Sequence, residues 1–358
     1  MPLPHIVHQI VAGFAHGDAI SQEALIIRAF CRELGITSEI FAPHDRIASD
    51  AGGECHTLEQ LRDAPVDVLI GHYSTSSPFE DIWLNSPARK VMLYHNITPA
   101  DFFVPFDAVM AAHLRTARER LPSIIRKVDA IWADSDFNAS ELRQLGASAV
   151  HVFQLVFDPR GLDNTTSGTG CRIARDLTNI LYVGRIAPNK CIEELIAAFA
   201  CYHRHINPAS RLAIVGSERC APSYFMMLRM YAAELGIANV CFERYVLPAD
   251  LAAYYRAADL YICASRHEGY CLPLVEAMYK GVPVIARNTG GMPEAMGGAG
   301  ILFDDLSATG LAALIDRVLT DQNLRQEVLK SQQTRVQAIL QRPVKAELQR
   351  LLENVSAL

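Results

Sequence analysis

The chain has no run of about 18 consecutive apolar residues, the length a membrane-crossing helix requires, although half of its 358 residues are hydrophobic. It also lacks a C-x-x-C pair: the nine cysteines are scattered through mostly apolar settings, as Cys241 and Cys263 are. That argues against a disulfide framework and for small core residues in a reducing compartment. A positive charge balance is missing too, with 33 Lys+Arg against 39 Asp+Glu and a net charge of −6. This weighs against a general nucleic-acid binder. Residues Met1 to Gly13 show neither a basic n-region nor a long apolar h-region, so no signal peptide is expected. No repeat of roughly 20–50 residues stands out. Neither half carries G-x-G-x-x-G after its first strand, which weighs against a nicotinamide-dependent oxidoreductase. A soluble cytoplasmic protein is expected. On a prior of roughly 150 residues per domain, it has room for two.

What is present centres on Leu260 to Gly291. The apolar run Leu260–Ala264 reads as a buried strand, and the loop after it carries Arg266, His267, Glu268 and Gly269. A helical pattern runs from Pro273 to Lys280 and stops at Gly281. A second apolar strand, Val282 to Ala286, leads into Gly290-Gly291. Such a βαβ unit holds ligands at the carboxyl ends of its strands, and here that edge carries Glu268 and Glu276. A similar unit begins at Asn179: strand Ile180–Val183, loop Gly184 to Lys190, then a helix with Ile192, Leu195, Ile196 and Phe199 on one face. Asn189 is its expected N-cap, with Glu193 and Glu194 in the first turn. Before it, residues 158–178 are rich in Gly, Ser, Thr and Asn and read as an interdomain linker.

The order Glu268, Gly269, Tyr270, Pro273, Glu276, Ala277, Met278, Gly281, Pro283, Val284 resembles the donor-binding motif of family 4 retaining glycosyltransferases with the GT-B fold. The segment Val183-Gly184-Arg185-Ile186, with Lys190 five residues after the arginine, is similar to that family's second signature. The resemblance is dense over residues 179–305 and thin over the first 160. It implies an α/β fold of two Rossmann-like domains facing each other across a cleft. The expected division is residues 1–160, a linker at 161–178, and a donor domain at 179–343. A last helix, 344–358, would return to the first domain. The activity implied is metal-independent transfer of a hexose from a GDP- or UDP-sugar to an acceptor hydroxyl, with retention. The acceptor would be a glycan or lipid-linked glycan of cell-surface polysaccharide synthesis.

The resemblance assigns roles residue by residue. Arg185 and Lys190 would neutralise the departing diphosphate, with backbone N–H groups around Tyr270, Cys271 and Leu272 at a helix N-terminus. Glu276 would hold the ribose hydroxyls and Glu268 would face the donor sugar. Gly184, Gly216 and Ser217 would lie near the diphosphate, and Tyr245 and Val246 near the base. Family members usually have glycine where Tyr245 stands, so the base is left open. In the first half, Gly13, Gly17 and Asp18 follow the first strand, at the place where the family meets the donor phosphates and the acceptor. The family's Gly-Gly pair is absent there. His95, after the strand Lys90–Tyr94, would contact the sugar or orient the acceptor. No cofactor and no metal are expected.

Several other features invite chemistry. Asp134-Ser135-Asp136 is a D-x-D, but Ser135 or Asp136 serves well as a helix N-cap, and no metal site is expected there. The C-x-H-x-H tract Cys201, His203, His205 scatters its side chains around a helix end. Sequons at Asn96, Asn138 and Asn164 carry nothing in a cytoplasmic chain. Arg115, Arg118, Arg120, Arg126 and Lys127 lie on a helical stretch that is either a solvated face or a dock for an anionic membrane surface. Two rival readings are a GT-B sugar-nucleotide epimerase, and a non-catalytic module that binds nucleotide sugars.

Overall fold

A computed structural model of the chain describes residues 2–51, 53–62, 64–163 and 176–358. The sequon at Asn164 and most of the expected linker lie outside them. The chain divides into two compact units. One is built from Met1–Ala100, Val109–Val156 and Arg342–Leu358, and the other from Asp101–Ala108 and Phe157–Gln341.

The first unit holds a seven-stranded sheet. Its strands are β1 (Val7–Ile10), β2 (Ile40–Ala42), β3 (His56–Thr57), β4 (Val68–Tyr73), β5 (Arg89–Tyr94), β6 (Ala130–Ala133) and β7 (His151–Val152), in the order β3-β2-β1-β4-β5-β6-β7. Every pairing is parallel. Parallel sheets are covered on both faces, so their strands are buried throughout, and β1 and β4 are buried at every position. Two polar residues, Gln9 and His72, nevertheless lie inside these strands at 0% exposure.

The last helix, Val344–Ser356, places Leu348, Leu351, Leu352 and Val355 at helical spacing on one face. They enter the first unit's core with Val7, Ile27, Val91, Leu93 and Trp132. Each large apolar side chain removed from water contributes about 1.5–3 kcal/mol, enough to hold a 13-residue helix that would be marginal alone.

The second unit holds a six-stranded parallel sheet. Its strands are β8 (Thr178–Val183), β9 (Ser210–Val215), β10 (Val240–Arg244), β11 (Leu260–Cys263), β12 (Val284–Arg287) and β13 (Ile301–Phe303). The order β10-β9-β8-β11-β12-β13 reverses direction between β8 and β11. That reversal is the topological switch point at which open α/β sheets bind ligands. Both sheets are Rossmann-like.

Local boundaries follow the chemistry of the turns. The helix after β11 runs Leu272–Tyr279 and ends where Gly281, at φ 70, takes the left-handed turn. One expected cap differs. The helix after β8 runs Ile192–His205, behind a 3-10 turn at Pro188–Lys190, and its N-cap position is Cys191. Asn189 lies two residues before that position, too early to cap the helix, and its side-chain N–H donates to the His267 carbonyl at 2.9 Å instead. Among the described residues, no helix is long and apolar enough to cross a membrane.

Candidate functional site

In the second unit, the loops after β8, β9, β11 and β12 pack backbone against backbone, which only glycine permits at two points. A Cβ on Gly216 would lie 1.8 Å from the Gly184 carbonyl oxygen, and one on Gly291 would lie 1.9 Å from the Gly269 carbonyl oxygen. The loops are also hydrogen-bonded. The Ile186 N–H donates to Ser217 O at 2.9 Å, Arg266 N–H to Asn189 O at 2.9 Å, and Gly291 N–H to Glu268 O at 2.9 Å. Arg287 bridges Glu194 and Asp305, and Arg266 also reaches Glu194.

This frame brings Lys190 and Glu268 together across the switch point. Lys190 Nζ donates to both carboxylate oxygens of Glu268 at 2.6 Å, and each side chain is 11% exposed. The Ser265 hydroxyl donates to Glu268 Oε1 at 2.8 Å. An ammonium has three N–H donors, so at least one remains for a further acceptor. Arg185, in the same loop as Lys190, is exposed, and no ion pair to it forms among the described residues. Glu276 accepts from the Tyr255 hydroxyl at 2.7 Å. Burial raises the Glu276 pKa above the usual carboxylate value and the Tyr255 bond only partly offsets it. Tyr270 is buried, whereas Cys271 and Leu272, which lead into the helix, are half-buried. Tyr245 is 51% exposed beyond the edge strand β10, with Val246 half-buried.

The remaining candidates belong to the first unit. Asp18 is the N-cap of the helix Ala19–Glu33 and accepts from the Ser21 N–H at 3.0 Å. Gly13 and Gly17 lie in the loop before it, Gly17 at φ 80. The His95 side chain is 3% exposed and ends a buried chain of polar groups. Gln9 donates from Nε2 to the Ala24 carbonyl at 2.9 Å, so its Oε1 faces His72 Nε2, also at 2.9 Å. His72 Nε2 therefore carries a proton and its Nδ1 accepts from His95 Nε2 at 2.9 Å. The two rings are coplanar to within 4°. His95 Nδ1 then faces Asp134 Oδ2 at 3.3 Å and Glu23 Oε2 at 3.5 Å. Burial alone would depress the His95 imidazolium, but the bond to Asp134 and the charges of Glu23 and Asp134 outweigh it and raise its pKa. Burial, then the neighbouring His95, holds His72 far below the usual value. For Glu23 burial dominates and lifts the carboxyl to about 7. Both ring nitrogens of His95 are thus engaged within the protein.

Ser135 caps the helix Asp136–Gln144, accepting from the Asn138 N–H at 3.1 Å. Asp134 bonds Asn138 and His95. Asn96 and Asn138 are buried and bonded to each other at 2.6 Å, so neither sequon presents a free amide. His203 bonds Ser210 at 3.1 Å and stacks on Phe199. The basic stretch is not one solvated face. Arg118 binds the Ile97 carbonyl and Glu141, and Arg120 pairs with the buried Glu80 at 3.0 Å. Arg115, Arg126 and Lys127 are exposed. Sequence reasoning missed Ser265, Tyr255, Gln9, His72 and Glu23. Gln9 and His72 carried a signal, as polar side chains inside otherwise apolar strands; Glu23 and Tyr255 on helices and Ser265 in a loop carried none.

Residues 172–335 match the family described as Glycosyl transferases group 1. A D-inositol 3-phosphate glycosyltransferase of Corynebacterium jeikeium is 34% identical over 84% of this chain and 68% of its own length. With the enzyme of the same name from Thermobifida fusca, 30% identical over 58% of this chain, the match spans 50% of the relative. Among solved structures, a sucrose-phosphate synthase from Thermosynechococcus elongatus superposes with a TM-score of 0.75 at 20% identity, covering 99% of both chains. The Anabaena protein HepE, in complex with UDP and glucose, superposes at 0.70 and 20% identity, covering 99% of this chain and 100% of that one. Two Rossmann-like sheets, the paired signatures at Arg185–Lys190 and Glu268–Glu276, and these likenesses have one conclusion: the chain belongs to the group 1 glycosyl transferases and has their GT-B fold.

Proposed function

We propose that this chain is a retaining glycosyltransferase that moves a hexose from a nucleotide sugar to an acceptor hydroxyl without a catalytic metal. The observation that carries the reading is the Lys190–Glu268 pair at the switch point of the second sheet. A nucleoside diphosphate leaves with two to three negative charges, and a fixed cation at that point stabilises them as they develop. Lys190 keeps at least one N–H for a phosphate oxygen, and Arg185 adds a second cation from the same loop. Glu268, held by Lys190 and Ser265, is the carboxylate assigned to the sugar hydroxyls. Glu276 is the paired acceptor for the ribose. Backbone N–H groups at Tyr270 to Leu272 complete the phosphate site. Gly13, Gly17, Asp18 and His95 are assigned to the acceptor side, where the buried His95 acts by holding charge rather than by offering a free ring nitrogen.

Relatives support the choice of substrates. HepE was solved with UDP and glucose, which favours a UDP-linked donor over a GDP-linked one. A structural neighbour is a glycosyltransferase involved in lipopolysaccharide biosynthesis, in keeping with a glycan or lipid-linked acceptor. The relatives named for D-inositol 3-phosphate favour a second acceptor class, a phosphorylated polyol. A peripheral contact with an anionic membrane would fall to Arg115, Arg126 and Lys127.

The test is a thermal-shift panel of nucleotide sugars, because stabilisation grows with the logarithm of ligand concentration over Kd. A UDP-sugar is expected to raise the melting temperature, and Lys190→Ala to abolish the rise while lowering transfer by about 10²–10³-fold. Silence across the whole panel would sink the reading. Consumption of donor with no acceptor present, giving an epimerised sugar nucleotide, would favour the epimerase.

A further inference from the structure

Two thiols flank Glu268, and the reading above uses only the carboxylate and the backbone there. Cys263 ends β11 at 1% exposure. Cys271 sits at φ 76 and ψ 69 just before the helix Leu272–Tyr279. A side chain is strained in that left-handed region, and glycine would make the same turn freely. One ligand atom from each of Cys263, Glu268 and Cys271 lies within 4.8 Å of the other two. Ser265, whose hydroxyl is 3.2 Å from the Cys263 thiol, sits between them.

We propose that Cys263, Glu268 and Cys271 form a binding site for one thiophilic divalent cation, with Zn²⁺ the physiological candidate. Two sulfurs and one carboxylate oxygen suit a tetrahedral zinc-type ion, with solvent as the fourth ligand, and do not suit magnesium or calcium, which take oxygen ligands. Thiolates on one tetrahedral ion at about 2.3 Å stand roughly 3.8 Å apart, so the trio needs only a small contraction. The balance closes: each thiol gives up its proton, two protons leave per cation bound, and Glu268 adds the charge it already carries. Two thiolates and a carboxylate around a dication leave one net negative charge. The Lys190 ammonium, on the same carboxylate, neutralises it. On the donor-site reading, the ion would take Glu268 away from the sugar, so the site antagonises transfer rather than serving it.

The experiment uses the full chain, reduced and stripped of metal, titrated with Co²⁺ under anaerobic conditions and then with Zn²⁺. A saturable near-ultraviolet sulfur-to-cobalt band at one equivalent is expected, displaced by Zn²⁺, with about two protons released per cation at neutral pH. Cys271→Gly, which relaxes the backbone and so keeps the fold, should lose the band or weaken binding at least tenfold, as should Cys263→Ser. Absence of a saturable band, or a band of equal strength in Cys271→Gly, would overturn the proposal. The band does not depend on nucleotide-sugar binding. Its absence beside a normal donor thermal shift would remove the cation site alone, and its presence beside a silent donor panel would remove only the donor reading.

Discussion

Glu23 is buried with neither carboxylate oxygen hydrogen-bonded, 3.5 Å from the His95 ring. Its folded-state pKa of about 7 lies above the usual carboxylate value, and that of His95 is raised as well. A group whose pKa is raised on folding stabilises fully below its unfolded value, and the stability is lost as pH rises through the folded value. For Glu23 that window opens near pH 4.5 and closes near 7. Unfolding free energy should therefore fall by up to about 1.4 kcal/mol per pH unit for this one proton. Glu23→Gln should flatten the slope, measured by denaturant unfolding between about pH 5 and 8. An unchanged slope would show that Glu23 is not the group responsible. None of this was legible in the sequence, where His72 is a lone histidine in an apolar strand. Gln9 and His72 meet only because β1 pairs with β4. Lys190 and Glu268 were legible, because spacing within two loops carries their pattern.

At the scale of elements, periodicity and punctuation placed the strands Ile180–Val183, Leu260–Ala264 and Val282–Ala286 and the helix Pro273–Lys280 within two residues of their observed bounds. Apolar runs of four to six residues between turn signals are too short for a typical buried helix and fit strands of a sheet covered on both faces. Stacking of the loops was not legible, since the sequence shows that Gly291 is a glycine but not what it touches. Gly291→Ala would place a Cβ 1.9 Å from the Gly269 carbonyl oxygen, a backbone clash that no rotamer relieves. The loop bearing Glu268 should be displaced, with a stability loss of about 2 kcal/mol or more and loss of the nucleotide-sugar thermal shift. A variant with normal stability and a normal shift would show that the two loops can part freely. Asn189 illustrates the opposite limit. As a cap candidate it fits the local pattern, yet a 3-10 turn moves the helix start to Ile192, and its amide is used between loops instead.

For the whole molecule, the chain builds its first unit from both ends, because Arg342–Leu358 clusters with Met1–Ala100. Leu352 is 0% exposed in that core. Leu352→Ala should destabilise by about 2–5 kcal/mol. The loss should fall on the first unit's unfolding transition and spare the second's, as read by hydrogen exchange resolved along the chain. Equal loss of protection in both units would mean that they unfold as one. The amphipathic pattern of this helix was evident from the sequence, with leucines at 348, 351 and 352. Its destination was implied only by the family resemblance and not by the pattern itself.

By itself, the sequence determined the α/β class, the two signatures at Arg185–Lys190 and Glu268–Glu276, and the family they belong to. Those properties rest on residue type at short spacing, which the backbone period converts directly into geometry. Only the tertiary structure decided that Lys190 and Glu268 form a pair, and that His95 is locked between His72 and two carboxylates. It alone also sets the thiols of Cys263 and Cys271 beside Glu268. Each of these joins residues brought close by strand order, loop packing or backbone strain, and none of those is written in the local pattern of either partner.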